Sequence, residues 1–134
     1  MLVRYLLDTN TASHIIKGTI PRIRERLAKI GPSDAAISVV TEAELRFGVS
    51  RHPEATRVKA AVEEFLRFID IRSWNSDSAQ LYADIRTVIE TQGHPMGNLD
   101  LMIAAHAMAL DTILITGDRV FRWVKGLRID DWAR

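Results

Sequence analysis

The chain contains no cysteine. That excludes disulfides, thiolate nucleophiles and Cys-based zinc centres, and it suits a reducing compartment. Aromatic residues make up only 7% of the chain, and there is no proline- or glycine-rich tract among its 4 prolines and 7 glycines, so low-complexity architectures are excluded. No apolar run approaches the roughly 20 residues of a membrane span. The N-terminal run Leu2–Leu7 is interrupted by Arg4 and stops at Asp8, too short and too polar for a signal peptide. Charge of one sign is also missing: 18 Lys and Arg against 17 Asp and Glu give a net +1, so the total carries no nucleic-acid signal. What is left is the expectation of a soluble, cytoplasmic globular protein with no membrane partner. Its 134 residues, 47% of them apolar, suit one domain spanning 1–134.

Within that frame, strand-like and helix-like segments alternate. Leu2–Leu7 reads as a buried strand, followed by a short helix over Thr9–Lys17 that Gly18 ends. Pro21 suits the first turn of a helix running to about Ile30. Ala35–Ser38 is a short second strand, and Thr41–Val49 a helix with Thr41 as a plausible N-cap. Ala55–Phe68 places Val58, Ala61, Val62, Phe65 and Leu66 on one stripe. Phe68–Ile71 reads as a third strand, Ser76–Thr91 as a helix, and Asn98 or Leu99 begins a nearly all-apolar helix to Leu110. Thr112–Thr116 and Leu127–Ile129 complete the strands, with Trp132 closing the end. This alternation predicts an α/β fold of three layers, α/β/α, around a mostly parallel sheet.

In such sheets ligands collect beyond the carboxyl ends of the strands. Four acids stand near such edges. Asp8 follows the first strand, and Asp118 follows Thr112–Thr116 across Gly117. Asp100 opens the apolar helix. Glu44 shares a helical face with Thr41 and Gly48, whereas Glu42, about 200° away, faces elsewhere. Each has an ordinary explanation: an N-cap for Asp8, a capping-box partner for Glu44, a helix-dipole acid for Asp100, a turn residue for Asp118. Together they form a set of hard oxygen donors that would repel one another without a cation and would suit Mg²⁺ or Mn²⁺. That points to metal-assisted phosphate chemistry.

The motifs carrying these acids are Leu6-Leu-Asp-Thr-Asn10, Ser38-Val-Val-Thr-Glu-Ala-Glu-Leu-Arg-Phe-Gly48, Gly97-Asn-Leu-Asp-Leu-Met-Ile-Ala-Ala-His-Ala107, Ile115-Thr-Gly-Asp118 and Gly126-Leu-Arg-Ile-Asp-Asp-Trp132. In this order, nearly end to end, they resemble the PIN-domain ribonucleases, and more narrowly the VapC-type toxins of bacterial toxin–antitoxin pairs. The resemblance implies a PIN-like fold and a Mg²⁺- or Mn²⁺-dependent endoribonuclease that inhibits translation, with transfer RNA or another structured RNA as substrate. It implies that Asp8, Glu44, Asp100 and Asp118 hold the metal, with Asn10 and Thr116 in support. It also implies a homodimer neutralised by a VapB-type antitoxin whose tail blocks the acidic pocket. The chain departs from the pattern in having Asn98 where proline is common, and Val120 where an acid often precedes the aromatic.

Among the cations, Arg46 and Arg51 lie nearest the Glu44 motif and are candidates for holding RNA phosphates. Arg22, Arg26 and Lys29 read as a solvated face. His14, His52, His94 and His106 are scattered without metal-ligand spacing, and Trp74, Trp123 and Trp132 read as core edges or an interface rather than base-stacking groups. Two competing functions are a non-catalytic RNA- or partner-binding domain and a haloacid-dehalogenase-type phosphatase. The latter wants a second Asp where Asn10 stands.

Overall fold

The computed structural model describes residues 2–134. Five strands form one sheet in the order β3-β2-β1-β4-β5, and every neighbouring pair is parallel. They are β1 (Tyr5–Leu7), β2 (Ala35–Ser38), β3 (Asp70–Arg72), β4 (Ile113–Ile115) and β5 (Ile129–Asp130). Between them run α1 (Thr9–Lys17), α2 (Pro21–Ile30), α3 (Val39–Arg51), α4 (Thr56–Phe68), α5 (Ser76–Thr91) and α6 (Asn98–Ala109). The predicted three-layer α/β/α arrangement is therefore the observed one, with a sheet that is wholly parallel. Among the described residues, no helix is long and apolar enough to cross a membrane.

Apart from Ser38 at the end of β2, the central strands carry apolar or aromatic residues, because both faces are covered. Leu6, Ala36 and Leu114 stand side by side in register and join the core beneath α5 and α6. Their neighbours Leu7, Ile37 and Ile115 point the other way, into the core shared by α1, α2 and α4. A period-2 strand thus feeds two cores. A one-residue slip would exchange the two sets and leave each facing the wrong helices.

The chain winds from β1 outward to β2 and β3, then returns to the opposite flank of β1 as β4. The carboxyl ends of β1 and β4 consequently flank the point where the winding reverses, and the loops diverge there to leave a crevice. Asp8 N–H donates to the Ile115 carbonyl at 3.0 Å, joining the two strand ends.

The strands are shorter than their apolar runs suggest: β1 covers only Tyr5–Leu7 and β4 only Ile113–Ile115. A 3-10 turn over Arg119–Trp123, absent from the sequence reading, places Phe121 in the core. The start of α3 is a correction. Its N-cap is Ser38, whose Oγ accepts from Val40 N–H at 3.1 Å, so the helix begins at Val39 and Thr41 lies buried within its first turn. The last strand residue is itself a good cap, which lets β2 pass into α3 with no loop.

Gly48 lies inside α3 with an exposed backbone, and a Cβ added there would meet no atom within 4 Å. Glycine in a helix interior costs roughly 0.5–1 kcal/mol relative to alanine. Gly48→Ala is expected to stabilise the protein by about that amount, read as a rise in urea midpoint at constant m value.

Candidate metal-binding active site

Asp8 is built in most firmly. It is 3% exposed and caps α1, with Oδ1 accepting Thr11 N–H at 2.8 Å. Its other oxygen accepts the Thr116 hydroxyl at 2.5 Å. Burial pushes its pKa above the usual carboxylate range, opposed by the Thr116 and Thr11 hydrogen bonds. The N-cap explanation is therefore true of one oxygen, while the second is held toward the crevice side of β4. Thr116, also buried, accepts Asp118 N–H on the same oxygen at 2.9 Å. One hydroxyl thus links two of the acids. Asp118 caps the following 3-10 turn through Val120 N–H at 3.1 Å and is half-buried.

Glu44 is oriented from α1: Thr9 Oγ1 donates to its Oε1 at 2.6 Å and lies 3.1 Å from Thr41 Oγ1. Thr9 and Thr41 were not singled out as site residues from the sequence, although Thr41 lies on Glu44's helical face and Thr9 adjoins Asp8. Glu42 is turned away, pairing with Arg46 at 2.8 Å, as the helical phase requires. Asp100 stands in the first turn of α6, half-buried, and among the described residues its carboxylate has no hydrogen-bond or ion-pair partner.

The fields of these groups overlap. The Asp100 pKa is pushed up to about 6, first by burial and then by Asp118, Glu44 and Asp8. The structure thus brings all four sequence-selected acids into one neighbourhood. They share a field rather than a point: among the described residues no three acidic or histidine side chains are drawn together as a metal-holding group. Two of the four carboxylates, Asp8 and Glu44, are turned to threonine hydroxyls. The donor set is nevertheless all-oxygen, and among the described residues none of the four carboxylates pairs with Lys, Arg or His. Uncompensated carboxylates, two of them (Asp8 and Asp100) with a raised pKa, suit a hard divalent cation, whose charge would relieve the repulsion.

The remaining candidates divide. Asn10 is exposed and lines cavities that also contain Glu44 on one side and Asp118 on the other, without bonding to either. Arg46 is engaged by Glu42 and, at 3.3 Å, by Glu63. Arg51 packs its guanidinium over the Phe47 ring at 5.4 Å and lines a shallow cavity with Glu44, Phe47 and Leu99. Trp132 is buried, Trp74 Nε1–H donates to the Met102 carbonyl at 3.1 Å, and Trp123 stacks on His94 at 4.3 Å. Each tryptophan is thus engaged within the fold.

An all-parallel sheet with acids at its winding reversal defines a class, and comparison with known proteins identifies it. The PIN domain family model matches residues 5–127, and the chain belongs to the PIN-domain family, within its VapC branch. It is 34% identical over 133 residues to the tRNA(fMet)-specific endonuclease VapC of Shigella flexneri, covering 98% of this chain and 100% of that protein. Ribonuclease VapC1 of Haemophilus influenzae strain R2866 is 31% identical over 135 residues, covering 97% and 98%. Among solved structures, DNA-bound VapBC from Salmonella typhimurium superposes with a TM-score of 0.90 at 32% identity, covering 98% of this chain and 99% of that one. VapBC2 from Rickettsia felis, bound to a DNA fragment from its promoter, gives 0.89 at 28% identity, covering 97% and 99%.

Proposed function

We propose that this protein is a single-domain, divalent-metal-dependent endoribonuclease of the VapC type, cutting transfer RNA or another structured RNA and so inhibiting translation. The observation that carries the reading is the joint field of Asp8, Glu44, Asp100 and Asp118, recorded in the raised pKa of Asp100. The VapC relatives, named as ribonucleases and a tRNA-specific endonuclease, support it.

In this reading Asp8, Glu44, Asp100 and Asp118 hold Mg²⁺ or Mn²⁺. When bound, such a cation lowers the pKa of water and offsets charge developing on the phosphate oxygens. The chain's own contribution is preorganisation. Thr116 fixes Asp8 and the Asp118 backbone, and Thr9 fixes Glu44, so fewer rotamers need be lost when substrate arrives. Among the described residues no histidine pairs with any of these four carboxylates, so proton movement at the site would fall to the carboxylates themselves. Arg51, beside Glu44, is the better placed of the two arginines for an RNA phosphate.

The partner is a VapB-type antitoxin, as the VapBC complexes of its structural neighbours suggest. A groove of about 380 Å³ between α1, α3 and α4 suits an apolar helix from it. Ile16, Leu45, Val58 and Val62 line this groove together with Thr9 and Glu44. An occupant would therefore reach the acidic crevice. Exposed Phe47 and Leu99, 62% and 48% accessible beside Glu44, offer apolar surface for a second copy in a homodimer.

The test is to incubate the purified protein with transfer RNA and with unstructured RNA, in Mg²⁺, in Mn²⁺ and with EDTA. Discrete cleavage leaving 5′-phosphate ends, lost in EDTA and restored by added metal, is the expected result. Undiminished cleavage in EDTA would sink the metal assignment, and absence of cleavage in either metal would sink the nuclease reading.

A further inference from the structure

His106 is a buried titratable group to which the cleavage chemistry assigns no role. It is 1% exposed, on α6, and its Nδ1 lies 2.7 Å from Ser38 Oγ. Ser38 is the residue where β2 ends and α3 begins, and the same Oγ already accepts Val40 N–H. With one lone pair committed to that cap, the hydroxyl keeps its proton and a second lone pair for Nδ1, so the contact holds with either tautomer of a neutral His106. Burial, the largest influence, depresses the His106 pKa, in keeping with the neutral form. The Ser73 backbone works in the opposite sense, and Nε2 has no hydrogen-bond partner among the described residues.

The position of this contact matters because of what lies along the two helices it joins. Glu44 is six residues beyond Ser38 on α3, and Asp100 is six residues before His106 on α6. At 1.5 Å per residue each carboxylate-bearing turn is about 9 Å from the contact, in a sense that runs the helices antiparallel. Both acids are therefore referred to one buried hydrogen bond. A second bond, from Trp74 Nε1–H to the Met102 carbonyl, fixes α6 one half-turn past Asp100 against the segment after β3. Elsewhere the flanks of α6 rest on apolar side chains such as Leu101, Ile103 and Ala104, and such contacts tolerate small sliding better than a hydrogen bond does.

We propose that His106 is a positioning residue for the nuclease site: its hydrogen bond to the α3 cap residue Ser38 sets the register between the helix carrying Glu44 and the helix carrying Asp100. This rests on the metal-dependent reading given above. A small slip of one helix would change the separation of two carboxylates that must serve one cation, and displacements near 1 Å can cost about 100-fold in rate.

The experiment compares His106→Leu, which fills the space without a hydrogen-bonding group, with His106→Asn, whose amide can donate or accept near the Nδ1 position. Ser38→Ala removes the hydroxyl while leaving the imidazole in place, and tests the same bond should His106→Leu fail to fold. Mn²⁺ affinity is read by calorimetry, and kcat and KM on RNA separately. The expected result is a loss of about tenfold in Mn²⁺ affinity and 10- to 100-fold in kcat for His106→Leu, with KM within about twofold. His106→Asn recovers most of both, and His106→Leu combined with Ser38→Ala is no worse than the more damaging single change. Wild-type Mn²⁺ affinity and kcat in folded His106→Leu or Ser38→Ala, with only thermal stability altered, would overturn the proposal. If the wild-type protein binds Mn²⁺ but cuts no RNA, the nuclease reading fails, and the affinity series still decides whether the helices are held in register by this bond.

Discussion

Asp100→Asn is expected to remove RNA cleavage, by at least about 100-fold, while leaving the metal-free protein more stable than the wild type. The two effects share a cause. The Asp100 pKa is about 6, well above the ordinary aspartate value of 3.8, raised by burial and by three neighbouring carboxylates. A folded pKa above the unfolded one means the folded protein holds the proton more tightly. The group's stabilising contribution is then fully present below about pH 3.8 and lost as pH rises through about 6. At pH 7 to 8 the ionised carboxylate is a liability. The shift corresponds to roughly 3 kcal/mol at face value, but Asp100 is only half-buried and solvent screening reduces this to something on the order of 1 kcal/mol. The uncharged amide removes that liability. Thermal denaturation in EDTA should show Asp100→Asn melting above wild type at pH 7.5, with the advantage vanishing near pH 4. Adding Mn²⁺ should reverse the order, since a ligand bound by the folded state alone stabilises it and the variant has lost a donor. Cleavage at the wild-type rate, or a metal-free melting point below wild type at pH 7.5, would contradict the assignment.

Asp8→Asn should behave differently although it also abolishes cleavage. One Asp8 oxygen accepts the Thr116 hydroxyl in a buried site, and that hydroxyl oxygen is committed to Asp118 N–H. An amide nitrogen placed there faces a donor, and one rotated away faces Thr11 N–H instead. One orientation takes the acceptor from the Thr116 hydroxyl proton and the other takes it from Thr11 N–H, and a buried donor left without an acceptor costs about 1–3 kcal/mol. Relief of a raised pKa is common to both acids, but only Asp8 sets against it the loss of its hydrogen bonds, so Asp8→Asn is expected to gain less metal-free stability than Asp100→Asn.

The gathering of these acids was partly legible in the chain itself. Asp8 and Asp118 follow short apolar runs, and a parallel sheet puts such residues at the carboxyl edge. Glu44 could be separated from Glu42 by helical phase, and the structure shows Glu42 pairing with Arg46 on another face. Less visible were contacts between residues far apart. Thr9 and Glu44 are 35 positions distant, and nothing local marks Thr9 as their link. The origin of α3 was obscured because Val39 and Val40 are β-branched and continue the strand pattern, so the cap fell to Thr41 rather than Ser38. The turn at Arg119–Trp123 is five residues long, too short to show a period. Arg46 and Arg51 are equivalent by proximity in sequence, and only the positions of Glu42, Glu63 and Phe47 tell them apart.

Val58→Glu is expected to release the enzyme from its antitoxin, weakening binding by at least about 100-fold, or about 2.7 kcal/mol, without changing cleavage of RNA. Val58 lines the groove between α1, α3 and α4 but is 38% exposed, unlike Val62 at 4% and Leu45 at 8% on the same wall. Replacing it leaves the core intact, whereas the same change at Val62 would bury an unpaired charge and threaten the fold. Once an apolar helix covers position 58 the carboxylate loses its water without gaining a partner, which is the origin of the expected loss. The sign of the charge discriminates between two modes of inhibition. A basic tail reaching the acidic crevice would be attracted by an added carboxylate, so a lower affinity reports the apolar fit in the groove rather than the electrostatics of the tail. Val58→Leu, which keeps the surface apolar, should bind within a few-fold of wild type. Calorimetry with the cognate antitoxin gives the affinities, and RNA cleavage with and without the antitoxin shows whether inhibition follows them. Wild-type affinity in Val58→Glu would place the antitoxin on another face, and loss of affinity equal in Val58→Leu and Val58→Glu would point to shape rather than desolvation as the determinant.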